Sequence, residues 1–145
     1  MNRHIVISML CFFMITVDLC AQTNARTGND NTDTAQMIFE YVQTNIAADR
    51  AKNISAHFAN QVYINVRGEE GGYFSANQGI IILQNFFSLH HVVTFKLSTV
   101  NTTHEQPYAT GAGTFFSRGK KENLQIYIGL TPREGGWFIS QFNVY

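Results

Sequence analysis

Apolar residues recur at helical spacing in the first part of the folded region. In TDTAQMIFEYVQTNIAADR, Ile38, Val42 and Ile46 lie four residues apart. This spacing places them on one face of an amphipathic helix. The hydroxyl of Thr32 is a candidate cap for the backbone amides at the start of such a helix. We therefore predict a first helix that begins near Thr32.

Two further segments are predicted to be helical. A shorter helix follows Asp49, whose carboxylate can cap it, and Ile54 and Phe58 share its apolar face. In SANQGIIILQNFFSLHH, Ser75 and Gln78 have the three-residue spacing of a capping box. In that motif each side chain hydrogen-bonds a backbone amide at the helix start. The third helix is therefore predicted to begin directly after Ser75.

The pattern elsewhere changes to a two-residue period, which is typical of strands. QVYINV is predicted to form a strand, with a glycine-rich turn over residues 68–72 and a short return strand. In TPREGG, Gly135 and Gly136 supply the positive backbone dihedral angles of a hairpin turn. Short turns predict an antiparallel meander of four later strands, VVTFKLSTV, PYATGAGTFF, NLQIYIGL and WFISQFNVY.

Gly111 and Gly113 interrupt one of these predicted strands. Glycine inside a strand often marks a bulge or a bend, so a curved sheet is one interpretation. A weakly packed edge strand is the alternative.

The amino-terminal residues have the layout of a secretory signal peptide. Arg3 precedes an apolar run from Ile5 to Val17, and small residues follow around Ala21. The run is shorter than the roughly 20 residues that a membrane-spanning helix needs. We therefore predict a signal peptide over residues 1–21, export to the periplasm or medium and no stable membrane span. Lipidation of Cys20 is the disfavoured alternative, because Leu19 stands where a small residue is usual.

Residues 22–31 contain mostly small and polar side chains and are predicted to be a flexible leader before a domain over residues 32–145. Both cysteines, Cys11 and Cys20, lie within the predicted signal. The mature chain would therefore lack disulfides and cysteine metal sites.

The chain carries ten basic and ten acidic residues, for a formal net charge of zero. Nucleic-acid binding usually requires a basic excess on one face, so no nucleic-acid partner is expected. No HExxH metal motif, phosphate-binding glycine loop or dinucleotide fingerprint is present. We therefore expect neither a metal nor a cofactor.

The order of these elements resembles the nuclear transport factor 2-like superfamily. The stretch VYINVRGEEGGYFSANQGIIILQNFFSLH, with the later strands through GGWFISQFNVY, looks like an exported bacterial branch of that superfamily with only a domain-of-unknown-function label. The resemblance covers residues 32–145. It implies an α+β fold in which a strongly curved antiparallel sheet wraps around helices as a cone, and a homodimer that pairs through its sheets.

Enzymes with this fold typically place an Asp, His or Tyr on the inner face of the cone. This chain has no aspartate after Asp49, and its later glutamates fall in predicted turns or at element ends. The histidines of the predicted domain lie at predicted helix ends or in a turn: His57, His90, His91 and His104. Capping or surface roles explain most of them. No catalytic residue is therefore assigned, although His57 or His91 remains a candidate.

Aromatic residues alternate along the predicted strands. In the last strand, Phe138 and Phe142 are assigned to the helix-covered face, and Trp137, Ile139 and Tyr145 to the outer face. Tyrosine hydroxyls among phenylalanines are typical of a small-ligand pocket. The predicted pocket lining is Tyr63, Phe95, Tyr108, Phe115, Tyr127, Phe138 and Phe142.

The sequence favours an exported, noncatalytic binding or interaction module that holds a small apolar ligand in the cone. The first alternative is a small enzyme of the isomerase, dehydratase or hydrolase type, with a pocket histidine or tyrosine acting on an apolar substrate. The second alternative is a structural dimer with a filled cone.

Overall fold

The computed structural model describes residues 25–68, 71–103 and 105–145, with side chains from residue 32 onward. The predicted signal peptide lies outside the described residues. The elements in chain order are helix α1 (Ala25–Ala47), a 3-10 helix (Ala51–His57), strands β1 (Phe58–Val66) and β2 (Gly72–Ser75), helix α2 (Ala76–Leu89), and strands β3 (His91–Asn101), β4 (Tyr108–Ser117), β5 (Lys120–Arg133) and β6 (Gly136–Val144).

All six strands belong to one sheet in the order β2-β1-β6-β5-β4-β3. The strands from β3 to β6 form the predicted antiparallel meander. The sequence did not predict that β1 pairs in parallel with β6. This pairing joins the amino-terminal hairpin to the last strand, so that chain segments distant in sequence share one sheet.

The core lies between the helices and one face of the sheet, which we call the inner face. Ile64, Phe142, Ile128 and Ala109 lie side by side across four strands of this face, and each is at most 1% exposed. Leu83 from α2 and Phe39 from α1 belong to the same buried cluster. Burial of this apolar surface is the main favourable contribution to folding.

Helix α1 begins earlier than the sequence predicted. It starts at Ala25 and not near Thr32, so most of the segment predicted as a flexible leader is helical. Once a helix has nucleated, each added residue brings one hydrogen bond, so a helix that is stabilised by its packed face can extend beyond that face. The predicted apolar face is confirmed, since Ile38, Val42 and Ile46 are buried.

The second predicted helix is a 3-10 helix, and its predicted end is wrong. Phe58 is the first residue of β1 and not part of the helix. Asp49 is not the cap either, because the residue before the helix is Arg50 and its side chain makes no capping bond. The side-chain amide nitrogen Nδ2 of Asn53 donates to Asn45 Oδ1 at 2.8 Å, and this bond attaches the short helix to α1.

The capping box of α2 is confirmed. Gln78 N donates to Ser75 Oγ at 3.3 Å, and Ser75 N donates to Gln78 Oε1 at 3.1 Å. These two bonds satisfy backbone amides that the first turn of a helix leaves without partners. They fix the start of α2 directly after β2.

The two strand glycines lie opposite irregular points in β3. Pairing between β3 and β4 shifts between Val92 and Thr94 and again between Leu97 and Thr99. Gly113 and Gly111 pair with Phe95 and Leu97, close to these shifts. The prediction of an irregular, curved sheet at these glycines is therefore confirmed, although the extra residues belong to β3.

A shift in pairing also changes the faces of β6. Gly129 pairs with Gln141 and Leu130 with Ile139, so Ser140 is an extra residue in β6. The two-residue alternation therefore restarts after Ser140. Ile139 is fully buried with the core, contrary to its predicted outer position, whereas Phe142 is buried as predicted.

Candidate functional site

The structure does not bring the seven predicted pocket residues together. Phe95, Phe115 and Phe142 belong to the buried inner core. Tyr63 pairs with Gln141, Gln141 with Gly129, and Gly129 with Tyr108, in the row next to the buried one. Neighbouring rows alternate between faces, so this row lies on the opposite surface, which we call the outer face.

Tyr127 and Phe138 also lie on the outer face. Tyr127 is two residues before Gly129, and Phe138 pairs with Thr131, two residues after it. The predicted pocket is therefore split between two faces, because the alternation in each strand was read without its pairing register.

A depression lies at the open end of the inner face, where the carboxyl end of α2 meets the β4–β5 turn. We call it the mouth pocket. Its volume is about 600 Å³, and Phe86, His90 and Phe115 form its aromatic side. Leu89 lies on its rim and is 71% exposed. Pockets for small ligands usually have volumes of this size and expose apolar groups.

The imidazole of His90 is held in place within this pocket. Its ring stacks on Phe86, with centroids 4.1 Å apart, and meets Phe115 edge to face at 5.1 Å. His90 Nδ1 lies 2.7 Å from the carbonyl oxygen of Phe86. A carbonyl only accepts hydrogen bonds, so Nδ1 carries the proton. In the neutral ring, Nε2 is then a hydrogen-bond acceptor.

The other side of the mouth pocket is charged. Arg67, Arg118, Lys120 and Glu122 line it. Arg67 Nη1 lies 3.3 Å from Glu122 Oε2, in an ion pair that is partly exposed. The lining thus has three basic groups and one acidic group, which favours a ligand with a negative charge.

The two histidines named as catalytic candidates lie elsewhere. His57 packs edge to face against Tyr41 with ring centroids 4.8 Å apart, and burial lowers the pKa of its imidazole. His91 is exposed, and its Nδ1 lies 3.3 Å from Asp49 Oδ2. Neither residue lines the mouth pocket. No sequence pattern favoured His90, because its position depends on the packing of α2 near Phe115 of β4.

The outer face is populated by tyrosines and amides. Tyr108 and Tyr127 lie on adjacent strands with nearly parallel rings, their centroids 6.0 Å apart. Burial raises the pKa of Tyr127, and the hydroxyls of Tyr108 and Tyr145 raise it further. Asn143 pairs with Tyr127 in the sheet, and its amide donates to Tyr145 Oη at 3.2 Å.

Two further features bear on the kind of site. Within residues 25–68, 71–103 and 105–145, His, Asp and Glu side chains form no cluster of three that could hold a metal ion. No helix in that part of the chain has the length and apolar character required to cross a membrane.

The helices packed on one face of a curved, unclosed sheet define an α+β cone of the nuclear transport factor 2-like class. A ketosteroid isomerase-like protein from Erwinia carotovora atroseptica has the same fold, with a TM-score of 0.64 and 12% identity over 80% of this chain and 95% of that one. The model of a domain of unknown function, DUF4783, matches residues 39–144. This chain belongs to the DUF4783 family.

Two crystal structures of family members agree with this assignment. The DUF4783 protein from Bacteroides uniformis has a TM-score of 0.65 and 13% identity, over 72% of this chain and 93% of that one. The protein from Bacteroides ovatus has a TM-score of 0.61 and 16% identity, over 71% and 89%. No curated protein matches this chain. The comparisons therefore establish family and fold.

Proposed function

We propose that this protein is an exported, noncatalytic binding module whose small ligand occupies the mouth pocket. The pocket itself is the observation that carries the proposal, because it combines stacked aromatic rings with a basic rim. The signal-like pattern from Arg3 to Ala21 supports export.

The ligand that fits this pocket has a flat apolar body and an acidic group. Exposed Leu89 and the half-buried ring of His90, which packs on the buried rings of Phe86 and Phe115, offer apolar contacts to the body. Arg118 and Lys120 can attract the acidic group at the rim. This site differs from the predicted one, because the interior of the cone is occupied by core side chains such as Phe39 and Phe142.

The dye 8-anilinonaphthalene-1-sulfonate has this chemistry and serves as the probe. We expect its fluorescence to report saturable binding, and the amide resonances of residues 117–120 to shift in NMR spectra. The Leu89→Glu substitution replaces an apolar rim contact by a negative charge and should weaken binding by about tenfold or more.

Ile81→Glu is the matched control, because Ile81 is an exposed apolar residue of the same helix at 54% exposure. It does not line the mouth pocket. If both substitutions change dye binding equally, or neither does, the dye binds elsewhere and the proposal fails.

A small enzyme is the second candidate function, and the orientation of His90 favours it. Its Nδ1 is committed to the Phe86 carbonyl, which leaves Nε2 as the basic atom of a ring within the pocket. Such an imidazole can act as a general base. His90→Phe retains an aromatic ring for the stack and removes the base. Hydrolysis of 4-nitrophenyl acetate should therefore fall to the background rate in this variant if His90 is catalytic.

A further inference from the structure

The outer face of the sheet concentrates the tyrosines of this chain. Five of the six tyrosines lie there, on four different strands or directly after β6: Tyr63, Tyr73, Tyr108, Tyr127 and Tyr145. Tyr63 and Tyr73 contact each other edge to face with centroids 5.2 Å apart. This face points away from the mouth pocket, so the two surfaces can act independently.

Two depressions lie on this face, one on each side of Tyr127. The larger has a volume of about 480 Å³ and includes Tyr108, Ser140 and Gln141 in its lining. The smaller has a volume of about 310 Å³ and includes Thr110, Gln125 and Tyr145. Tyr127 belongs to both linings, so its side chain separates two adjacent hollows.

Gly129 keeps the larger depression open. A Cβ atom at this position would lie 3.4 Å from Gln141 Cβ and 3.5 Å from Tyr127 Cε1. These are ordinary contact distances, so the Cβ of an alanine would fit but would fill part of the space between the two side chains. The backbone at this position does not require glycine. The lack of a side chain at Gly129 instead leaves the hollow open.

The chemistry of the two hollows is nearly free of charge. Glu105 is the sole charged residue in either lining, and it lies at the edge of the larger one. The other polar groups are hydroxyls and amides, each of which can both donate and accept hydrogen bonds. A lining of this kind offers no counter-ion to a phosphate or a carboxylate, and its one carboxylate, at the edge, leaves the space beside Tyr127 suited to a neutral ligand.

Asn143 is a buried polar residue beneath this face. The residue is 4% exposed, and its Oδ1 atom has no hydrogen-bond partner in the described structure. Asn143 pairs with Tyr127 on one side and with Asn65 on the other. A buried carbonyl oxygen without a partner destabilises the folded chain. Asn143 lines neither hollow, and its side-chain amide donates to Tyr145 Oη, so this residue supports a tyrosine of the outer face and does not contact the ligand.

We propose that the outer face binds a neutral saccharide chain, with successive sugar rings in the two hollows beside Tyr127. The C–H face of a sugar ring packs by dispersion against an aromatic ring, and its hydroxyls both donate and accept hydrogen bonds. Tyrosine with serine, threonine and amide side chains provides both types of contact. The two adjacent hollows match a ligand built from repeated rings.

The test is an NMR titration of the full mature chain with four neutral hexasaccharides: maltohexaose, cellohexaose, mannohexaose and xylohexaose. At least one is expected to shift the amide resonances of Thr110, Tyr127, Gly129 and Gln141, with a dissociation constant of about 1 mM or tighter. Resonances of the mouth pocket, at residues 117–120, should remain unchanged.

Two variants locate the contact. Tyr127→Ala removes the ring between the hollows and should weaken binding by at least about tenfold. Tyr41→Ala is the matched control, because this tyrosine lies on α1, is 39% exposed and lines neither hollow. A circular dichroism spectrum and melting curve of each variant confirm that the fold is retained.

Several results would overturn the proposal. It fails if none of the four saccharides shifts these resonances at a concentration about ten times the expected dissociation constant. It also fails if the shifts lie at the mouth pocket. It also fails if sedimentation velocity shows a stable dimer in which the outer face is protected from hydrogen exchange. That result would assign this face to a second copy of the chain, as the sequence resemblance implied.

Discussion

The carbonyl oxygen of Thr94 occupies the space that a side chain at Gly113 would need. These residues lie on β3 and β4, next to the point where the pairing of the two strands shifts. The glycine thus permits a close backbone approach at the curved part of the sheet.

Gly113→Ala should therefore destabilise the protein by about 2 kcal/mol or more, because a backbone atom must move to admit the methyl group. Gly129→Ala is the control, since a Cβ there meets only ordinary contacts. We expect its free energy of unfolding to change by less than about 1 kcal/mol. Urea denaturation of the two variants checks this difference, and equal losses would contradict it.

The β4–β5 turn offers a substitution that separates stability from ligand binding. Arg118 and Gly119 both have positive φ angles, of 50° and 77°, and Ser117 pairs with Lys120 across the turn. Asparagine tolerates this conformation better than arginine. Arg118→Asn should raise the free energy of unfolding by about 0.5–1 kcal/mol.

The same variant should bind 8-anilinonaphthalene-1-sulfonate more weakly than the parent, because the mouth pocket loses a positive charge. Thermal melting and dye titration measure the two effects separately. A variant that is less stable, or that binds the dye more tightly, would contradict the prediction.

The capping box should contribute measurably to the stability of α2. Ser75→Ala removes the hydroxyl that accepts from Gln78 N, and we expect a loss of about 1 kcal/mol. Ser88→Ala is the control in the same helix, since the Ser88 hydroxyl donates to the Asn85 carbonyl at an exposed position. Urea midpoints of the two variants should differ, with the larger decrease for Ser75→Ala.

His57 should make the protein less stable in mild acid. Burial lowers the pKa of this imidazole below its ordinary value of 6.5, so the unfolded chain binds a proton more readily than the folded chain. Above the ordinary value the imidazole is neutral in both the folded and the unfolded chain. As the pH falls below it, the unfolded chain takes up the proton first, so the free energy of unfolding decreases.

His57→Gln should reduce the decrease in the urea midpoint between about pH 7.5 and pH 5.5. The parent and the variant are compared over the same pH series. An unchanged slope would show that the proton affinity of His57 is the same in the folded and unfolded chains.

Local interactions explain the elements that the sequence predicted well. The Ser75–Gln78 capping box depends on residues three apart, and the glycine turn at Gly135 and Gly136 depends on local backbone angles, both of which the structure shows. The apolar face of α1 follows from spacing within one helix. The family resemblance likewise depended on the order of such elements along the chain.

The candidate sites could not be predicted in the same way, because they depend on pairing between distant segments. The extra residue at Ser140 reverses the faces of β6, so Ile139 is in the core and not on the surface. His90 lines the mouth pocket because α2 packs near Phe115 of β4.

The sequence by itself determined the order and type of the main helices and strands, although not the start of α1 or the end of the 3-10 helix, since capping, periodicity and turn chemistry act over a few residues. Tertiary structure alone decided which tyrosines meet on the outer face and which phenylalanines fill the core. The physical reason is that a one-residue change in strand register moves every following side chain to the opposite face. That register is fixed by strand pairing and packing across the whole sheet.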